Sequence, residues 1–584
     1  MKQRIALSVV AFACAVAALL AQPKPQPQTA DPVLRAMHDE IERSRKLTVS
    51  SLEAPYFIQY LLDDAEVFDV TASLGGLLSV RGDHLREPEV QVRVGDYKFD
   101  NTNFAGMGFG SRYDMGRFPL ENDYQVLRRY FWLSTDSAYK GAVETISRKR
   151  AALRNVEQNS SLDDLAHAEP VQLTRDFHPL AIDRDAWTNR ARALSGVFAE
   201  FPAVKDSRVE VEASAGGWYM ANSEGTEVKV PEDVVVLRVR AMAQASDGMS
   251  VRDTLIYQAL DPARMPPAAE IERDVRATAA HVTNLAAAPK GEDYSGPVLF
   301  EDAASPQLFA QLLGANLAPS RRPEGGRGGS GPTSDLEGRM GARILPESFT
   351  VVDDPSQKEW RGRPLFGSYE VDREGVPAKP LRVVEKGVLK SYLLTRQPIR
   401  GFSGSNGRAR MDNAFGASSA GISNLFVSST ETVPAGDMKK KLIELIQQRS
   451  KPYGIVVRKF DFPAAAPTEE LRRIMSSAQG TIHPLSAPTL VYKVFPDGHE
   501  ELIRGMRFHG ANARSLKDIL VAGDDGIVFD FMNSAAPFAL IGAGGFTAES
   551  CVVAPSIIID DLELQPVDDE QPKLPLVTAP ALAH

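Results

Sequence analysis

A chain of 584 residues with 43% hydrophobic residues has ample apolar material for two or more packed domains. Its 66 basic and 76 acidic side chains give a net charge of −10, which opposes general attraction to phosphate backbones, so we expect no nucleic-acid partner. The two cysteines are Cys14 and Cys551. If Cys14 is lost with an N-terminal signal, no internal disulfide can form, and stability must come from packed cores.

The first residues have the order of features found in secretory signals. Lys2 and Arg4 precede an apolar run that ends at Leu20, and the small residue Ala21 follows. The run is too short to span a bilayer comfortably, although a retained membrane anchor is the alternative. We predict a signal peptide over residues 1–21 and a disordered proline- and glutamine-rich linker over 22–30. The mature protein is then exported, periplasmic or extracellular, without stable membrane insertion.

The next part of the chain, residues 31–290, alternates between helical and strand patterns, which predicts an N-terminal α/β domain. Asp31 before Pro32 is a typical helix start, because the aspartate can cap the first turn and proline fits there. We predict further helices over 123–154, 185–201 and 268–287, and strands within 56–104 and 207–243.

A second domain is predicted over residues 295–565, followed by a disordered proline-rich tail over 566–584. It opens with a short apolar strand at 296–300 that leads into a helix, for which we predict Ser305 as the cap. Further strands are predicted over 344–353, 423–427 and 556–564, a β-hairpin over 381–393, and a helix over 437–448.

One loop of this domain combines glycines with arginines. Gly404 and Gly407 leave the backbone free to adopt conformations that side chains forbid, and Arg408 and Arg410 follow. Such a loop is typical of a site or an interface, because a buried core requires neither glycines nor arginines at these positions. We predict that these four residues contact a peptide or a partner protein.

Several ordered blocks of this region resemble one family. The run Asp353-Asp354-Pro355, then EKGVLKSYLLTR from Glu385, GSNGRAR from Gly404, and SNLFV from Ser423 are similar to the C-terminal domain of the TldD/PmbA family. That family is metallopeptidase-related, and its members were formerly described as modulators of DNA gyrase. The resemblance implies an α+β fold with two domains, an N-terminal α/β domain and a C-terminal, mostly antiparallel, barrel-like β domain.

The zinc motif of TldD-like members is absent from this chain. Their motif H-E-x-x-x-H follows a strand similar to residues 296–300, and its two histidines bind zinc while the glutamate can act as general base. Here those positions hold Glu301, Asp302 and Pro306, and no two of the nine histidines are closer than ten residues in sequence. The chain therefore resembles the TldE (PmbA) branch, whose members lack the motif.

Cys551 falls where the family's third zinc ligand lies. Two interpretations stay open: a functional one, in which Cys551 is an inherited zinc ligand or a redox-sensitive thiol, and a structural one, in which it is a small buried side chain. A substitute metal site made by Glu301, Asp302 and Cys551 is conceivable, because carboxylates also bind zinc, but it mixes hard and soft ligands without imidazole.

Three functions follow from the resemblance. The first is a non-catalytic TldE-like subunit, without a cofactor of its own, in a complex whose TldD-like subunit carries zinc and processes peptides. The second is a metallopeptidase with non-standard ligands, and the third is an independent exported peptide-binding protein. Absence of the zinc motif favours the first function over the second.

Overall fold

The computed structural model describes residues 30–46, 53–105, 118–154, 162–325, 333–411, 418–462, 485–534 and 547–567. The predicted signal peptide, nearly all of the linker and most of the predicted tail lie outside these residues. In the ranges described, no helix is long and apolar enough to cross a membrane.

The described residues form six α-helices, which pack against the sheets of an N-terminal and a C-terminal half. They are α1 (Pro32–Ser44), α2 (Tyr124–Leu153), α3 (Arg184–Gly196), α4 (Ala268–Ala287), α5 (Ala304–Leu312) and α6 (Met438–Gln448). The predicted helices are confirmed with small changes at their ends. Asp31 caps α1 as expected, since its Oδ1 accepts from the backbone N–H groups of Val33 and Leu34 at 2.9 and 3.3 Å.

The N-terminal half contains one long, mostly antiparallel sheet. Its strands are β1 (Pro55–Ser73), β2 (Gly76–Val94), β3 (Gln172–Thr174), β4 (Val204–Asn222), β5 (Glu227–Pro231), β6 (Val234–Gln244) and β7 (Ser250–Ala259). The order is β2-β1-β4-β5-β3, with β6 also paired to β4 and β7 paired to β6. Among the described residues, β7 therefore has one side without a neighbouring strand.

The two faces of this sheet have different roles, because side chains alternate along a strand. One face packs against α1 and α2 at one end, through residues such as Tyr60 and Phe131, and against α3 and α4 at the other end. The opposite face meets the C-terminal half: Met220 packs near Val371, and Val236 near Phe366. The sheet is thus an interface between the two halves.

The C-terminal half contains two larger sheets. The six-stranded sheet has the order β13-β12-β9-β16-β23-β22, and the seven-stranded sheet has the order β19-β18-β17-β8-β24-β20, with β21 paired to β24. The bounds are β8 (Tyr294–Phe300), β9 (Phe349–Asp353), β12 (Leu381–Glu385), β13 (Val388–Leu389), β16 (Asn424–Ser429), β17 (Gly454–Phe460), β18 (Pro488–Val494), β19 (Glu500–Ile503), β20 (Met506–His509), β21 (Ile519–Ala522), β22 (Ile527–Ser534), β23 (Thr547–Ala554) and β24 (Ile557–Pro566). Two short pairs complete the set: β10 (Glu359–Trp360) with β11 (Arg363–Pro364), and β14 (Ala409–Met411) with β15 (Ser419–Ala420).

One apolar core lies between the two C-terminal sheets and includes residues of both, such as Val351 and Ile455, with Phe309 of α5. The predicted α+β class is confirmed. Within the described ranges, however, both sheets stay open rather than closing into a barrel. The edges that stay unpaired in those ranges include β22, which pairs only with β23.

The turn of the predicted hairpin is confirmed at Lys386 and Gly387, which have φ values of 47° and 74°. Two successive positive values are typical of a tight two-residue turn, and glycine favours the second position. The predicted domain boundary falls on the segment between α4 and β8. The domain bounds themselves stay predictions.

Candidate functional site

The strand–helix junction after β8 holds the three residues that stand at the family's zinc-motif positions. Asp302 has a φ of 51°, which turns the chain from β8 into α5. The side chain of Glu301 is 23% exposed and that of Asp302 is 73% exposed, whereas Pro306 is buried in the first turn of α5. Ser305 is not the helix cap, because its hydroxyl donates to the carbonyl of Pro555 at 2.5 Å.

An internal cation neutralises the carboxylate at this junction. Nε of Arg458, on the neighbouring strand β17, donates to Oε1 of Glu301 at 2.6 Å. The two Nη atoms of Arg458 donate to the carboxylate of Glu500 at 2.9 and 3.1 Å, and Lys439 binds Glu500 at 2.7 Å. Burial raises the pKa of Glu301, and Arg458 opposes that shift.

Cys551 is a fully buried residue of β23 and lies opposite Asp530 of β22. Burial raises the pKa of its thiol well above the ordinary value, and the carboxylate of Asp530 adds to the shift. Burial also raises the pKa of Asp530, although Arg363 donates to it at 3.0 Å and opposes the shift. Cys551 is therefore a protonated, inaccessible thiol, which agrees with its interpretation as a small buried side chain.

The two glycines of the predicted contact loop have different surroundings. Gly404 has open space where a Cβ atom would lie. Gly407 has a φ of 75°, and a Cβ atom there would lie 2.6 Å from the carbonyl oxygen of Pro377. Glycine at this position is thus explained by the backbone conformation and by the close approach of another chain segment.

Arg408 has a structural role that the sequence analysis did not foresee. The residue is fully buried, and its Nε donates to Oδ2 of Asp353, also fully buried, at 2.5 Å. Its Nη atoms donate to backbone carbonyls, including that of Lys379 at 2.7 Å. The premise that the fold requires no arginine here is wrong, because Arg408 joins β9 to the loop and is not accessible to a peptide.

Arg410 lies in a mixed-charge cluster between the two halves of the chain. It is 7% exposed, donates to the backbone carbonyl of Glu549 at 2.9 Å, and has its guanidinium 4.0 Å from the ring centre of Tyr369. The nearby Glu232 has a pKa raised to about 8 by burial and by Glu549, while Arg373 and Arg410 oppose the shift. Arg410 therefore acts first as a counter-ion inside this cluster.

Beside the strand–helix junction lies a cleft of about 970 Å³ between the two halves of the chain. One wall includes Asp253 to Ala259 of β7 and Leu260, which follows that strand. The other wall includes Val528 to Phe531 of β22. The floor includes Asp302 and the segment from Arg458 to Phe462. Two strands that have one unpaired side within the described chain thus line the same cleft. Such a volume is suited to a peptide of a few residues.

The start of β7 is already tied to the C-terminal half. Lys459 donates to the carboxylate of Asp253 and to the backbone carbonyl of Thr254, both at 2.6 Å. Arg252 forms an ion pair with Asp461. The carbonyl of Thr254 therefore points away from β6, towards the cleft.

The outer side of β7 continues beyond this tie. The register of β6 and β7 is regular, and backbone groups of alternate residues point to the same side of a strand. The N–H and C=O groups of Ile256 and Gln258 therefore point to the same side as those of Thr254. In addition, Oε1 of Gln258 is buried without a hydrogen-bond partner in the described structure. The backbone of this stretch can therefore pair with a bound chain.

Comparison with known proteins agrees with this architecture. Residues 294–463 match the model of the PmbA/TldA metallopeptidase C-terminal domain. A metalloprotease of Archaeoglobus fulgidus is 40% identical over 75 residues, which are 13% of this chain and 16% of that protein. A metalloprotease of Methanothermobacter thermautotrophicus is 28% identical over 239 residues, 40% of this chain and 44% of that protein. The chain thus spans less than half the length of either relative.

Two solved structures share the fold over most of their length. TldE from Thermococcus kodakarensis has a TM-score of 0.53 and 14% identity, and the match covers 91% of this chain and 99% of that one. A protein of Thermotoga maritima described as a candidate modulator of a DNA gyrase has a TM-score of 0.52 and 15% identity, with coverage of 87% and 96%. Residues 294–463 thus carry a C-terminal domain of the PmbA/TldD family.

The zinc site expected of TldD-like members of this family does not fit the residues present here. Glu301 is paired with Arg458, Pro306 has no donor atom, and Cys551 is a buried thiol with a raised pKa. The described residues contain no group of three or more histidine, cysteine, aspartate or glutamate side chains placed to hold a metal ion. We derive no catalytic step through a metal in this chain.

The functional candidates that sequence reasoning missed are the edge strands. No element was predicted for residues 250–259, although Val251, Leu255, Tyr257 and Ala259 alternate with other residues as in a half-buried strand. That alternation could have revealed the strand. It could not have shown that β7 and β22, which lie far apart in sequence, border one cleft.

Proposed function

We propose that the mature chain is an exported, non-catalytic, TldE-like subunit of a peptide-processing metallopeptidase complex. In this role it holds an extended peptide in the cleft between β7 and β22, while a TldD-like partner supplies the zinc and the chemistry. The proposal rests on two strand edges that have no partner strand within the described residues, together with a neighbouring junction whose carboxylate is neutralised by Arg458.

The outer side of β7 supports peptide binding for a physical reason. An extended peptide adds to a sheet by pairing its backbone with the free N–H and C=O groups of an edge strand. Such pairing is largely independent of the peptide's side chains, which suits a protein that receives varied peptides. Beyond the tie at Thr254, the stretch from Leu255 to Leu260 is about 17 Å long at the rise of an extended chain, enough for about five residues.

Co-expression with a zinc-bearing TldD-like protein of the same host tests the partnership. We expect the two chains to copurify in equal amounts and peptidase activity to require both of them. A partner that is fully active alone and never copurifies would leave the chain as an independent peptide-binding protein. Mass spectrometry of native protein tests export, for which we expect a mature N-terminus at or near Gln22.

Ile256→Pro tests the role of the β7 edge. Proline lacks the N–H group that points into the cleft, and edge strands tolerate proline where the N–H is not paired inside the sheet. We expect affinity for a blocked hexapeptide to fall at least about tenfold, the equivalent of about 1.4 kcal/mol, with little change in Tm. The matched control is Leu520→Pro, a change in the exposed part of β21 outside the cleft, which should keep peptide affinity if the variant folds. Equal affinities of Ile256→Pro and the parent protein would place the peptide elsewhere.

A further inference from the structure

Three phenylalanine rings meet at one corner of the cleft. Phe462, Phe529 and Phe531, here called the phenylalanine corner, all line it. The ring centres of Phe462 lie 4.9 Å from those of Phe529 and of Phe531, at steep angles of 76° and 73°. Phe529 and Phe531 are 5.5 Å apart and nearly parallel. These are favourable aromatic arrangements, so the three rings hold one another in place.

Two rings of the corner are buried in the core, and the third is partly exposed to the cleft. Phe462 and Phe531 are 7% and 5% exposed and belong to the large C-terminal core. Phe529 is only partly buried and packs against that core from the cleft side. Leu490 and Val528 line the cleft beside it. An incoming side chain therefore meets a carbon surface whose shape is fixed before binding, which lowers the entropic cost of association.

The rest of the cleft has a different character. The charged side chains of Arg458 and Lys459 lie on the segment that leads to Phe462, about 10–13 Å before it along an extended chain. Their charges are matched internally by Glu301, Glu500 and Asp253. Asp461 and Asp530, which neighbour the corner in sequence, also line the cleft and are paired with Arg252 and Arg363. The apolar corner is thus bordered by charged side chains that already have partners, and a bound peptide would meet both.

We propose that the cleft selects extended peptides that place one large apolar side chain, aromatic or branched aliphatic, against the phenylalanine corner. This inference rests on the proposed function, because it assumes that the peptide lies along β7. Backbone pairing holds the peptide regardless of its sequence, and the corner adds a preference at one position. Phe529 is the residue that determines this specificity.

Two blocked hexapeptides that differ only at one central residue, phenylalanine in one and serine in the other, test the proposal. Calorimetric titration of the full mature chain should give at least about tenfold tighter binding for the phenylalanine peptide, since burying a large apolar side chain is worth more than this factor. Phe529→Ala should reduce the preference to about threefold or less without weakening the serine peptide. Phe529→Leu keeps the core packed and should give an intermediate preference.

Phe508→Ala is the matched control. Phe508 is also a partly buried ring beside the C-terminal core, with its centre 5.8 Å from that of Phe300, but it does not line the cleft. The Phe508→Ala variant should prefer the phenylalanine peptide over the serine peptide by the same factor as the parent protein. If the parent protein bound the two peptides equally, the phenylalanine corner would not be a side-chain subsite. The proposal that the cleft binds peptides would be unaffected by that result. Failure of both peptides to bind would overturn the proposed function and this inference with it.

Discussion

Nε of Arg458 lies 2.6 Å from Oε1 of Glu301, across the parallel strands β17 and β8. The first carboxylate after β8 therefore has a permanent positive partner within its own chain. The same guanidinium binds Glu500 through both Nη atoms. Together with Lys439, Arg458 balances the charges of Glu301 and Glu500 without a bound cation, and the first prediction follows from that balance.

The purified chain should hold no stoichiometric zinc. Glu301 would have to leave Arg458 to bind the metal, and the side chain of Pro306 has no atom that can act as a ligand. Elemental analysis should give well below one zinc per chain, and EDTA should leave Tm unchanged within replicate error. One zinc per chain that disappears in Cys551→Ala would instead support a metal site with substitute ligands.

Arg458→Ala should destabilise the protein by about 1.5–3 kcal/mol, because it removes charged hydrogen bonds from two partly buried carboxylates. Urea unfolding at neutral pH measures the loss. Arg449→Ala is the control, since Arg449 forms an ion pair with Asp560 in which both side chains are about one-third exposed. Exposed pairs contribute less than about 1 kcal/mol. A loss for Arg458→Ala no larger than that of the control would refute the importance of the network.

Arg408→Ala should be far more damaging than Arg410→Ala. Removing Arg408 leaves the fully buried carboxylate of Asp353 without its counter-ion, which costs about 3–5 kcal/mol. Soluble yield and urea unfolding report the effect. Replacing both partners, by Asp353→Asn with Arg408→Met, should recover part of the lost stability. If Arg408→Ala unfolds like the parent protein yet loses peptide binding, the original assignment of Arg408 to peptide contact is right.

Glu232 should make stability depend on pH. Its pKa of about 8 in the folded protein is above the value of 4.5 expected when unfolded, so the folded state holds the proton more tightly. Its stabilising contribution is then complete below about pH 4.5 and is lost as pH rises towards 8. Between pH 5 and 8, the parent protein should lose at least about 1.4 kcal/mol of unfolding free energy relative to Glu232→Gln.

The control for that experiment is Glu359→Gln, which removes one negative charge from an exposed position. Its pH profile should run parallel to that of the parent protein. Parallel profiles for Glu232→Gln as well would show that the carboxyl of Glu232 does not carry the pH dependence.

Local features of the fold could be predicted from the sequence because their causes are local. Helix α4 has the predicted bounds, since its apolar residues recur at helical spacing and two prolines precede it. The turn at Lys386 and Gly387 was predictable for the same reason. Ser305 failed as a helix cap because its hydroxyl bonds to Pro555, a residue brought near by the sheet and not by the sequence.

The candidate site was harder to predict, because it depends on contacts between distant segments. Arg408 has the sequence context of a surface loop, and only the position of Asp353 on β9 explains its burial. The pairing of Arg458 with Glu301 likewise joins strands that lie 157 positions apart. The missing zinc motif could be read directly, because the absence of a residue type needs no structural information.

The ties at the start of β7 fix that end of the strand against the C-terminal half. Lys459 and Asp461 hold Asp253 and Arg252 at one end of the cleft, whereas the far end, near Gln258, has no such clamp from these residues. A widening of the cleft that kept these bonds would leave the start of β7 in place. Lys459 and Asp461 would hold the start of β7 in position. The largest displacement of β7 would then fall at its opposite end, near Gln258.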